Sequence, residues 1–386
     1  MKVVRDLSSN KMRTLLVVAS IAVGIFAVGT VQHLRSSLGN ELQSIAQETS
    51  AAHATIFAPG MDQAMLDSIA RTPGVAEVST RNSVGLKIEL APGTWENFTV
   101  TTVEDFADQP IDKIIPITAS GKHPEFGVEN TRWPVEGEII LENSGLDAGN
   151  VLPEGIRNGD VIRVETPDGR IRSLTVTGIA SDANAFPAAF IGSASGYVVR
   201  DTFEQLGGAP TFGQASIRVE GTPDQLMDKS YIESIANQVA DKVERSGYPV
   251  ARTNVPEPGQ VGLQDLFDSL ALLLTPLGLL ALFLSGFLVI NTISALMAQQ
   301  TRQIGVMKSI GGTRRQIVLM YLSAVLSYSV VALLVAIPLT VFVASGLGRA
   351  VGDFLNLSLP RFSLPTNVLV LQIAIGILTP VSYTHL

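Results

Sequence analysis

The segment QQTRQIGVMKSIGGTRRQI, residues 299–317, is basic and lies between two long charge-free runs. Residues 269–301 and 316–348 each extend 33 residues without Asp, Glu, Lys or Arg. A helix needs ~20 apolar residues to cross a bilayer, so each run is long enough for a membrane span. The loop between them holds Arg302, Lys308, Arg314 and Arg315 and no acidic residue. Short loops rich in Lys and Arg stay on the cytoplasmic side, which orients the chain.

Charge divides the remaining sequence sharply. The chain has 386 residues and a formal net charge of −8. Residues 36–268 hold 33 acidic and 16 basic side chains, a net of −17, and the flanks carry a net of +9. A water-soluble acidic middle between basic, apolar flanks is therefore expected. Its sign argues against nucleic acid as a ligand, because phosphate binding needs positive charge. Cysteine is absent, which removes disulfides, thiolate metal sites and cysteine nucleophiles. A domain of that length buries enough apolar surface to fold without staples.

The first apolar run, residues 14–31, follows Lys2, Arg5, Lys11 and Arg13 and precedes only Arg35. That bias places the N-terminus in the cytoplasm. The competing reading is a cleaved signal with Ala27-Val28-Gly29 as the small-residue site, against which stands an apolar core longer than signals use. Beyond the run, Leu34, Leu38, Leu42, Ile45 and Thr49 form a helical stripe, and Leu263, Leu266, Phe267, Leu270 and Leu274 mirror it. Two stalk helices are expected there, either packed together or independent. Ser20 and Gly24 in the first run would allow close helix approach, and Asn291 in the second is placed for an interhelical hydrogen bond or the inner end. Pro338 should kink the third run or mark its outer third. The last run, residues 367–380, is short for a span, and the chain is expected to be cut inside a fourth helix.

The acidic middle reads as α+β. HATIFAPG alternates as a strand, and a helix and strand follow, with Met61, Met65, Ile69 and Val75 as the buried face. A second β-α-β unit runs from ASIRVEG to YPVARTNV, and Thr222-Pro223 is a good helix start. Between these units residues 111–214 are expected as a β-rich insertion, with Asp168-Gly169 as a hairpin turn. The fold class is thus a polytopic α-helical membrane protein with a large α+β extracytoplasmic domain on stalk helices. Its segments are 1–34 (N-terminal segment and first span), 35–262 (the extracytoplasmic domain) and 263–386 (the second and third spans, a helix over 299–316 and a cut fourth helix from about 366).

Motifs for chemistry are missing. No G-x-x-x-x-G-K-[ST], H-E-x-x-H, G-x-S-x-G or calcium-loop pattern occurs. His33, His53, His123 and His385 lack ligand spacing, and Glu104-Asp105 reads as solvated loop. No catalytic, cofactor or metal site is expected, and an enzyme is disfavoured. Charge-free spans also disfavour an ion-coupled carrier.

Within the loop, Ile304, Met307 and Ile310 recur every three residues, with Arg302 and Lys308 elsewhere on the helix. Gly311-Gly312 breaks it, and Thr313-Arg314-Arg315-Gln316 fits a capping box. A short amphipathic helix joined to the third span results. By its pattern alone it serves equally as an interfacial helix on lipid headgroups or as a lever moved by a cytosolic motor.

The sequence TRQIGVMKSIGGTRRQI, together with NKMRTLLVVASIAVGI near the start, resembles the FtsX-like/MacB-like ABC transporter permeases. That resemblance follows the whole chain in order. It implies a MacB-type periplasmic core domain on stalk helices, in the inner or plasma membrane, and a separate cytosolic ABC ATPase as partner. The implied ATPase-coupling residues are Arg302, Gln303, Ile304, Gly305, Met307, Lys308, Ile310, Gly311, Arg314 and Arg315. Gln303 stands where the family has Glu, and Gly312 replaces Ala. Other implied partners are a second permease subunit in a homo- or heterodimer, membrane lipid, and an extracytoplasmic adaptor or hydrolase. The implied function is export or extracytoplasmic mechanical work coupled to ATP hydrolysis. A non-transporting regulatory scaffold, controlling a cell-envelope hydrolase or acting as a sensor, stays open as the second reading.

Overall fold

The computed structural model describes residues 11–117, 126, 131–259, 264–309, 311, 313–355 and 365–383. In chain order the elements are α1 (Lys11–Glu48), β1 (Ala54–Met61), α2 (Gln63–Ala70), β2 (Val75–Ser79), β3 (Ser83–Ala91), β4 (Thr94–Val103), β5 (Ile115–Pro116) and β6 (Glu138–Glu142). Then follow α3 (Ser144–Asp147), β7 (Val161–Glu165), β8 (Ile171–Ser181), α4 (Ala188–Ile191), β9 (Ala194–Val199), α5 (Arg200–Gln205), β10 (Phe212–Val219) and α6 (Pro223–Leu226). The chain continues with α7 (Lys229–Arg245), β11 (Arg252–Asn254), α8 (Gln264–Ser309), α9 (Arg314–Leu355) and α10 (Thr366–Tyr383).

Residues 41–264 form one compact unit with two sheets. The smaller has the order β11-β1-β10-β2 and is antiparallel throughout. Each β-α-β unit is split, because β10 of the second enters between β1 and β2 of the first, the ferredoxin-like arrangement. Strand alternation sends Ile56, Ala215 and Ile217 to one face, where they pack with Met65 and Ile69 of α2 and Ile235, Val239 and Val243 of α7. The expected buried set, Met61, Met65, Ile69 and Val75, is buried. Thr222 and Gln225 form the capping box of α6. Asp228 then caps a second start by accepting from the Ser230 amide, so the expected single helix is two pieces.

The larger sheet has the order β5-β8-β6-β9-β4-β3-β7, and β7 also pairs with β8. That extra ladder closes six strands into a ring, with β5 appended to β8. Closure removes the exposed edges that a curled sheet would otherwise present. Thr175 sits at the seam, opposite Glu138 on β6 and Val161 on β7. Leu86, Ile88, Phe98, Val100, Ile139, Leu141, Val164 and Val176 fill the interior. The β7–β8 hairpin turns at Asp168-Gly169, with Gly169 at φ +80. This subdomain starts at Ser83, earlier than the expected 111, because β3 and β4 belong to it. The cause is non-local: β4 pairs in parallel with β9, Phe98 opposite Ala194, and alternation in β4 alone does not say which sheet it joins.

Residues 1–40, 265–352 and 358–386 form the other unit. Among the described residues two helices are long and apolar enough to cross a membrane, Thr14–Glu48 and Val325–Gly352. Thr275–Leu288 and Thr366–Leu378 are shorter apolar stretches. Helix α1 is unbroken for 38 residues, so the first apolar run continues into the amphipathic stripe, where Leu38 and Leu42 are buried. The side chains of Leu263, Leu266, Phe267, Leu270 and Leu274 lie outside the described residues. Val17, Ile21 and Ile25 of α1 pack on Ala332, Leu333 and Ala336 of α9. Small residues allow the closest approaches: the Ser285 hydroxyl donates to the Ser20 carbonyl, and a Cβ on Gly24 would lie 2.6 Å from Ser285 Oγ. Gln372 of α10, fully buried, donates to Thr340 of α9 at 2.9 Å. Asn291 is exposed, and α9 continues through Pro338.

Phe98 is 1% exposed inside the closed sheet. Phe98→Ala should therefore cost about 3–5 kcal/mol, read as a lowered melting transition by far-UV circular dichroism.

Candidate functional site

Two places concentrate polar chemistry, one in each unit. The first is the junction of α8 and α9. The structure makes residues 301–309 the end of the 46-residue helix α8 and not a separate short helix. Helical hydrogen bonding is simply not interrupted before Ser309. Gly311 then takes φ +92, a left-handed conformation that costs glycine least. Thr313 caps α9 as the sequence predicts. Its amide donates to Gln316 Oε1 at 3.0 Å, and its hydroxyl accepts from the Gln316 amide at 3.4 Å.

Of the ten residues singled out here, Gly305, Gly311 and Arg315 are exposed. An added Cβ on Gly305 or Gly311 would meet nothing within 4 Å. Ile310 lies outside the described residues, as do the side chains of Arg302, Gln303, Ile304, Met307, Lys308 and Arg314, although their backbone is helical. Arg314 and Arg315 occupy the first turn of α9, which has no acidic residue. Positive charge there opposes the helix dipole by ~0.3–1 kcal/mol per charge.

The second place is a cleft of about 450 Å³ in residues 41–264. Strand alternation builds its walls. Thr55, Phe57, Gln214 and Ser216 lie on the face of the smaller sheet away from its helices, while Ser83, Thr99, Thr101, Ser195 and Tyr197 come from the larger sheet. At the cleft floor Arg81, in the link from β2 to β3, pairs with Asp182 at 2.6 Å and donates to the Asp112 carbonyl. Tyr197 donates to Asp182 at 3.0 Å. The Asp112 carboxylate accepts from the Ala52 amide at 3.0 Å. Burial pushes the Asp112 carboxyl up against the pull of Arg81, and burial beside Asp182 raises the Tyr197 phenol well above its usual range.

Sequence reading missed this network. Its members come from four separate links and strands, and no local spacing marks them. The only signal was their charge within polar turns. Glu104, by contrast, is exposed loop as expected and pairs with Arg200 at 3.4 Å. His33 is buried, His53 accepts from the Val219 amide at 3.0 Å, and His123 and His385 lie outside the described residues. Among the described residues no cluster could hold a metal ion.

Glu142 feels the Asp182 charge and is 3% exposed. Burial raises its carboxyl from 4.5 to about 7, against hydrogen bonds from the Ser144 amide and hydroxyl. The folded state thus holds this proton more tightly than the unfolded chain. Its contribution is present below pH 4.5 and is lost as pH rises to about 7. Glu142→Gln should match the wild type at pH 4. Above pH 7 it should be the more stable by at most ~3 kcal/mol, measured as the difference between melting curves at the two pH values.

Comparison with known proteins gives a family match and similar solved structures. Residues 277–384 match the FtsX-like permease C-terminal family. Similar structures include the extracellular domain of the noncanonic ABC-type transporter YknZ from Gram-positive bacteria, at 12% identity over 53% of this chain and 100% of that one, TM-score 0.34. Another is the periplasmic region of MacB from Actinobacillus actinomycetemcomitans, at 12% identity over 53% of this chain and 97% of that one, TM-score 0.29. No curated protein matches the chain. Residues 277–384 take in most of α8, the exposed Gly311 turn, α9 and α10, and over them the chain is similar to the FtsX-like permease C-terminal family.

Proposed function

We propose that the chain is the permease subunit of an ABC transporter, a multi-pass protein of the inner or plasma membrane. Its N-terminus lies in the cytoplasm and residues 41–264 outside. A separate cytosolic ATPase binds at residues 302–315 and drives export or mechanical work across the membrane. The carrying observation is that the family match spans this junction and that Gly305, Gly311 and Arg315 are exposed there.

Three physical features support the reading. Helix α8 ends only two residues before the left-handed Gly311, and the capping box starts α9 without slack. A push on the turn would therefore move α9 as a lever. Arg314 and Arg315 sit at the positive end of a helix, which favours an anionic counterpart: acidic side chains of the ATPase or lipid headgroups. Gln303 would supply a neutral contact where the resembled family uses a charged one. Assembly as a homo- or heterodimer follows if the ATPase acts as a pair.

Gly305 separates contact from folding, because a side chain there meets no neighbour in this chain. Gly305→Ala should preserve coupling, whereas Gly305→Asp should keep the melting curve and lower permease-stimulated ATP hydrolysis by at least ~tenfold. Normal stimulation by the folded Asp variant would remove the lever. Gly311→Val, strained at positive φ by roughly 1 kcal/mol or more, should impair coupling as well, read in the same ATPase assay after co-purification.

A further inference from the structure

The cleft of residues 41–264 has a chemistry that an energy-coupling role does not use. Its two walls are sheet faces, and side chains of Thr55, Ser216, Thr99 and Thr101 line them. A hydroxyl both donates and accepts, so these walls complement a ligand whose own groups do both. Thr55 and Ser216 lie 3.3 Å apart, and Ser83 and Thr101 2.8 Å apart, leaving each pair further hydrogen-bonding capacity. At the rim the Phe186 ring is 53% exposed. Phe57, also in the lining, is covered on one face by the Arg252 guanidinium, 4.4 Å from the ring centre.

Charge does not select the ligand. Arg81 is held by Asp182 and the Asp112 carbonyl, and Asp182 also accepts from Tyr197 and from the Asn184 amide. An anion or a cation entering the cleft would find these groups already engaged. An extended peptide is also a poor fit, because peptides that add to sheets need an open edge. Here β1 lies between β11 and β10, and β4 between β9 and β3. The outer strand β11 reaches the cleft at Asn254 but is only three residues long, a short ladder for an extended peptide. The volume of about 450 Å³ is within the ~300–1,000 Å³ range of small-molecule sites, which are mainly apolar with a few placed polar groups, and this one adds hydroxyls from both sheets to an apolar lining that includes Phe186.

We propose that this cleft binds neutral carbohydrate, a few linked sugar rings, with hydroxyls on the two sheet faces and one ring against Phe186. Binding does not depend on ATPase coupling, so the two readings succeed or fail separately. The test uses the full chain in lipid nanodiscs, free of sugar-headed detergents, titrated calorimetrically with maltotriose, with the trimer of N-acetylglucosamine and with a neutral hexapeptide. One of the two trisaccharides should bind at a single site. Thr99→Val combined with Thr101→Val, and separately Phe186→Ala, should each weaken it by about tenfold with an unchanged circular dichroism spectrum. Phe186 is exposed, so that variant keeps the test decisive if the double variant fails to fold. Binding of neither sugar, binding of the peptide alone, or sugar affinity indifferent to Phe186→Ala would overturn the proposal.

Discussion

Strand β10 enters between β1 and β2, and the position of everything else in residues 41–264 depends on that ladder. The pairing sews residues 54–61 to residues 212–219, so the chain between them must leave and return at one place. The closed larger sheet is what it builds in the interval. Because β10 takes the central position, the helices of both β-α-β units lie on one face and share one core. The opposite face is left for polar side chains. The cleft follows from this division, since it is walled on one side by the face that the helices do not cover.

The buried Arg81–Asp182 pair secures the same region. Taking two charges out of water is costly, and the cost is offset only when geometry and further hydrogen bonds are good. Asp182 has three such partners, Arg81, Tyr197 and the Asn184 amide, and Arg81 has a backbone carbonyl as well. These groups come from the β2–β3 link, the end of β8, β9 and the segment before β5. The network therefore specifies how the links between the two sheets run. Removing one partner would strand the other, which makes the cleft floor rigid where its walls are open.

Much of the fold was legible locally. Period-two alternation marked β1, β7, β8 and β10, and helical spacing marked α2 and α7. The Thr222-Pro223 helix start and the Thr313 capping box were readable because a cap involves residues within one helical turn. The Gly311 turn was readable for the same reason, since left-handed backbone selects glycine within a single position. Hidden were the features that need two distant segments: the membership of β3 and β4 in the larger sheet, the ring closure between β7 and β8, and the four-part network around Arg81. The separate short helix expected over 299–316 is instead the end of α8, because nothing in that segment interrupts α8 before Ser309.

By itself the sequence determined the charge partition, the apolar runs, the two β-α-β units and the exposed turn, all of which depend on composition or on neighbours within one helical turn. Only the tertiary structure decided which strands meet, where the acidic and hydroxyl side chains converge, and that a cleft lies between the faces of the two sheets. The reason is physical. Periodicity tells which side of an element is apolar, but the partner of the other side is set by closure of the chain on itself, and the polar residues that meet there carry no mutual signal along the sequence.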